Sequence, residues 1–118
     1  MTVDESDFDR YTLVFLRRAD GAPSLTDAEA ADLQARHLAF LDEMVAAGRM
    51  VVAGPIEDED DTSLRGICVY ACGHEEASRW AATDPWVLAG RLRPDVVTWW
   101  TKKDAIAHGL AQVRGAAS

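Results

Sequence analysis

The sequence predicts a single α+β domain: a four-stranded antiparallel sheet with two helices on one face. Three observations carry that prediction. Apolar and aromatic runs of strand length recur four times, at 11–19, 49–56, 64–72 and 92–101. Two of the gaps between them hold helical patterns with start and stop signals. The chain has 118 residues, the size of one ordinary domain and too short for two.

The first run, "YTLVFLRRA", is continuously apolar before its arginines, as in a strand buried on both faces. Gly21 and Pro23 break it. Thr26 followed by Glu29 has the spacing of a capping box, and Asp27 suits the first turn of a helix. That helix is expected to reach Ala47, with Gly48 as its left-handed terminator. "RMVVAGPI" reads as the second strand, ended by Gly54 and Pro55. After the acidic "EDEDDTS" connection, "LRGICVYAC" reads as the third strand, paired with the second as a hairpin.

A shorter helix is expected over 74–83, with Glu75 and Glu76 in its first turn. Asp84-Pro85 ends it, because the residue before proline is pushed out of helical geometry. "WVLAG" suits one further helical turn, and Pro94 sits near the start of the fourth strand, where proline is tolerated. A C-terminal helix is expected in "KKDAIAHGLAQVRG". The order β-α-β-β-α-β is the ferredoxin-like pattern. Both helices then cover one face, yet strands one, three and four are apolar on both. The open face needs a cover, and a second copy of the same sheet is the simplest one. A homodimer is expected.

Charge narrows the partners. Twenty acidic against twelve basic side chains leave a net charge of -8. Nucleic-acid binding needs a basic face, and so does docking to an anionic membrane. Neither is expected. No stretch of 18 apolar residues offers a membrane span. The acidic start "MTVDESDFDR" lacks the basic and apolar character of a signal peptide, so a cytoplasmic location is expected. Cys68 and Cys72, four positions apart in one expected strand, would lie about 13 Å from each other, beyond disulfide reach. They read as small core hydrophobes.

Two residues carry the chemistry. The first helix has an apolar stripe of Leu33, Phe40, Leu41 and Met44, and His37 fills the position that completes it. On the second helix the inward face should carry Ala77, Trp80 and Ala81, and Asp84 continues that row. An inward His37 and Asp84 could meet near one end of the sheet. An imidazole held by a carboxylate is the usual arrangement for general base work. The plainer alternatives are a satisfied core histidine, and an N-cap aspartate followed by proline at the first helical position. One carboxylate has two oxygens, so the two roles of Asp84 are compatible.

Arg36, beside His37, could reach an anionic substrate at the rim, although a solvated arginine is the plainer reading. Trp86 is well placed to wall an apolar pocket. His74 reads as a capping or exposed residue, and His108 is assigned nothing. The three histidines are too scattered for a metal triad, and there is no Gly-rich phosphate loop. No metal or cofactor is expected.

The segments "RHLAFLDEMVAAGRMVVAGPI" and "DPWVLAGRLRPDVVTWW" together resemble the YCII-related family. That family shows a His-Leu helix, a Gly-Pro after the second strand and an Asp-Pro-aromatic turn before the last strand. Here these are His37 and Leu38, Gly54 and Pro55, and Asp84, Pro85 and Trp86. The match covers about residues 10–101; the acidic N-terminal extension and the tail after Thr101 depart from a short member. The resemblance implies a dimeric α+β barrel and an active site centred on His37 and Asp84. Gly54, Pro55, Pro85 and Trp86 of these motifs, together with Arg36 from its place beside His37, are the expected substrate contacts. It further implies cofactor-free elimination or isomerisation of a small molecule, such as dehydrochlorination of a ring-derived intermediate. A non-catalytic dimeric module binding a small ligand or a partner protein is the alternative.

Overall fold

The computed structural model describes residues 4–109. After a short 3-10 turn at Glu5–Asp7, the elements are β1 (Phe8–Arg18), α1 (Asp27–Ala46), β2 (Met50–Pro55) and β3 (Leu64–Tyr70). Then come α2 (His74–Ala81), the single turn α3 (Pro85–Leu88) and β4 (Leu92–Lys102). The sheet order is β2-β3-β1-β4, with every neighbouring pair antiparallel. This is the ferredoxin-like α+β arrangement that the order of apolar runs predicts.

Local signals work as their chemistry requires. The Thr26 hydroxyl accepts the Glu29 amide at 3.1 Å, and the Glu29 carboxylate accepts the Thr26 amide at 3.1 Å. This closes a capping box on α1. Gly48 follows the helix at φ 74°, a conformation that costs an L side chain but not glycine. β1 starts three residues earlier than its apolar run, because Phe8, Asp9 and Arg10 pair with Lys102, Thr101 and Trp100 of β4. β3 ends at Tyr70, so Cys72 lies beyond the strand rather than within it. There its carbonyl accepts the buried Thr12 hydroxyl at 2.7 Å. Of the expected C-terminal helix, 105–109 is helical and the remainder lies outside the described residues.

Strand alternation sorts the side chains. Val14, Leu16, Cys68 and Tyr70 face the helices and form the core with Met44 of α1, Met50 of β2, and Ala77 and Ala81 of α2. The expected inward row of α2 is thus present, with Trp80 at its half-buried edge under the Arg49 guanidinium, 4.2 Å from the ring centroid. The opposite face carries Tyr11, Leu13, Phe15, Ile67, Val97 and Trp99, with Val97 and Trp99 exposed. At one end of that face Arg17 bridges two strands and a loop. Its Nε donates to Asp95 at 2.8 Å and its Nη1 to Asp61 at 2.9 Å. No described helix is long and apolar enough to cross a membrane.

Candidate functional site

His37 occupies the third turn of α1, and Asp84 caps the first turn of α3. α1 and α3 pack together, which brings two residues 47 positions apart into contact. The His37 Nδ1 lies 2.9 Å from Oδ1 of Asp84 and 2.9 Å from Oδ2. The Asp84 side chain is 2% exposed and that of His37 13%. A buried carboxylate needs partners, and Asp84 has a second one: its Oδ1 accepts the Trp86 amide at 2.9 Å. Pro85 at the first helical position, with no amide to satisfy, completes the N-terminus of α3. Asp84 therefore contacts His37 and caps α3 at the same time.

A cavity of about 410 Å³ opens beside the imidazole, within the roughly 300–1,000 Å³ range of small-molecule sites. His37, Leu38 and Leu41 of α1 wall one side, and Leu16, Gly66 and Cys68 of the sheet form the floor. Gly54, Pro55 and Trp86 complete it. The Trp86 indole is held by its Nε1, which donates to Gln34 at 3.1 Å. At Gly66 a side chain would press on the backbone: an added Cβ would sit 3.2 Å from the Gly54 carbonyl oxygen. Glycine here lets β2 and β3 approach closely and keeps the floor low.

The structure thus brings together His37, Asp84, Gly54, Pro55 and Trp86. It does not bring Arg36, whose guanidinium pairs with Asp32 one turn back on the exposed side of α1 at 3.0 Å. The angle of one residue around the helix carries Arg36 away from the stripe that His37 completes. Pro85 stays within α3 and does not line the cavity. Four polar wall residues were missed by the sequence reading: Gln34, Arg18, Arg65 and Arg91. The arginines had a signal, each being a charged residue bordering an apolar strand; Gln34 had none.

The floor is chemically quiet. Burial pushes the Cys68 thiol up to about 12, with the nearby Asp84 charge adding to it. Burial likewise raises the Tyr70 phenol, helped by Cys68 and Asp84. Both stay uncharged at neutral pH. Among the described residues no group of three His, Cys, Asp or Glu is placed to hold a metal ion.

Comparison with known proteins follows the same outline. The family model of the YCII-related domain matches residues 12–101. No curated protein matches. Among solved structures, the chain is similar to the 5-chloro-2-hydroxyhydroquinone dehydrochlorinase TftG from Burkholderia phenoliruptrix AC1100, solved in complex with 2,5-dihydroxybenzoquinone. The TM-score is 0.55 at 22% identity, over 75% of this chain and 92% of that one. A conserved protein from Methanosarcina mazei Go1 aligns at TM-score 0.48 and 8% identity, over 84% of this chain and 97% of that one. The match to TftG shows the shared fold; the family model spans β1 to β4 and every residue of the His37 site, and the chain belongs to the YCII-related family.

Proposed function

We propose that the protein is a cofactor-independent enzyme that moves a proton on a small molecule, with His37 as the base and Asp84 as its positioning partner. The observation that carries this reading is the contact of the His37 Nδ1 with the buried Asp84 carboxylate at 2.9 Å, at the wall of an open cavity. An Nδ1–H donated to Asp84 leaves Nε2 as the basic nitrogen. Nε2 takes a proton from a C–H or O–H of the substrate. The electron pair left behind forms a new π bond and expels a leaving group, or the proton is returned at another carbon. Asp84 holds the tautomer and stabilises the imidazolium formed on the way. Trp86 supplies an apolar wall. The dehydrochlorinase activity in TftG's name supports elimination as the reaction class.

The enzyme works as a homodimer in this reading. A second copy covers the open sheet face, where Val97 and Trp99 would otherwise remain in water. It acts in the cytoplasm, a setting that suits the free thiols of Cys68 and Cys72.

The test is turnover of 5-chloro-2-hydroxyhydroquinone and a panel of enolisable carbonyl compounds, read as chloride release or proton exchange. Wild type should turn over at least one, and His37→Gln should lower kcat by about 10²–10⁴-fold. Equal rates in the two proteins reject the reading. The second reading, a non-catalytic binding module, is favoured by the Asp84 contact to the Trp86 amide, which gives the pair a structural role. It predicts no turnover, and a stability loss of about 1–3 kcal/mol in His37→Ala.

A further inference from the structure

We infer that the cavity beside His37 selects a small anionic ligand: an acid with an apolar body, whose carboxylate is held by arginines at the end of the sheet. This rests on the reading of His37 as the base of that same site. Three arginines line the cavity, Arg18, Arg65 and Arg91. Among the described residues no aspartate or glutamate lines it, in a chain that carries 20 of them.

Topology explains the cluster. β1 ends where β3 and β4 begin, so one sheet end collects Arg18 of β1, Arg65 of β3 and Arg91 just before β4. Arg18 pairs across β4 with Leu92, and the Ala19 amide donates to the Arg91 carbonyl at 3.0 Å. The Arg18 amide donates to the Ser63 carbonyl at 2.7 Å, beside the start of β3. The neighbouring acids serve other groups. Arg17, one residue before Arg18 and on the opposite face, takes Asp61 and Asp95, and Arg93 shares Asp95 at 2.6 Å.

Among the described residues Arg18 and Arg65 have no carboxylate within ion-pair distance. Arg91 is steered by neutral groups alone: its Nη1 donates to the Pro23 carbonyl at 2.5 Å, and its guanidinium lies 6.0 Å from the Trp86 ring centroid. Its charge therefore stays uncompensated and fixed in place. Positive charge gathered at a partly enclosed, apolar-walled cavity focuses the field there. A planar guanidinium also matches a carboxylate through two parallel hydrogen bonds. The leucines and Trp86 receive the rest of the ligand.

Calorimetric titration with sodium benzoate and with benzamide, its uncharged isostere, tests this. Benzoate should bind about tenfold or more tighter than benzamide, and the gap should shrink as salt rises. Arg18→Gln and Arg65→Gln should each narrow the gap, while Arg18→Lys keeps part of it; circular dichroism confirms that each variant is folded. Equal binding of the two probes, no binding of benzoate, or a gap unmoved in the double glutamine variant overturns the inference. The same titration in His37→Gln separates this from the catalytic reading. A benzoate preference that persists there supports the arginines whatever becomes of turnover, and one that vanishes there overturns them.

Discussion

One carboxylate oxygen, Oδ1 of Asp84, lies 2.9 Å from both the His37 imidazole and the Trp86 amide. The same carboxylate therefore holds the imidazole and starts α3. Asparagine at position 84 keeps a capping oxygen but loses the charge; alanine loses both. Asp84→Ala should cost about 1–3 kcal/mol of stability, and Asp84→Asn clearly less. Urea unfolding of the two variants checks this, and equal losses would remove the cap from the account.

Acid should weaken the anchoring of Asp61. The Asp61 carboxyl is held below its ordinary value, first by the Ser63 hydroxyl and then by Arg17. A lowered folded pKa adds stability that is present above the unfolded value of about 3.9 and lost as pH falls through the folded one. The difference in melting temperature between wild type and Asp61→Asn should accordingly be level near neutrality and shrink below about pH 4. A difference that stays constant down to the acid limit contradicts the ion pair's part in it.

The two thiols should differ in reactivity. Cys68 is buried with its thiol pushed up to about 12, while half-buried Cys72 is raised as well, chiefly by burial. Iodoacetamide at pH 8 should label Cys72 slowly and Cys68 not at all in the native protein, and both in urea, as mass spectrometry would read. A raised folded pKa adds stability that is present below the unfolded value of about 8.5 and fades as pH climbs toward the folded one. Mild alkali should thus weaken the fold through Cys68, and Cys68→Ala should flatten that decline.

Covering of the open sheet face is tested by charge. Val97→Glu and Trp99→Glu each place a carboxylate on that face. Sedimentation should show a dimer for wild type and a shift toward monomer for both variants. A wild-type monomer at all concentrations rejects self-association outright.

The sheet, both long helices and the His37–Asp84 pair were legible because each rests on local chemistry. Period-two apolar runs, the Thr26–Glu29 box and the Asp84-Pro85 break act within a few residues of themselves. Arg36 shows where such reasoning stops. Adjacency in sequence suggested a shared site, yet the helix carries Arg36 to Asp32. Arg18, Arg65 and Arg91 show the converse: they become neighbours only through antiparallel register, which no local pattern states. Gln34 was invisible for the same reason, its role set by a tryptophan 52 residues away. The β1 extension to Phe8 was hidden by Asp9 and Arg10, polar residues inside a strand whose limits are set by its partner β4.

His37 and Asp84 sit on helical turns, while the arginines sit at strand ends of the same cavity. The two sets are anchored in different parts of the framework. Exchanging one strand-end side chain need not disturb the geometry of the imidazole and its carboxylate. A designer could thus vary positions 18, 65 and 91 while leaving the histidine–aspartate pair in place.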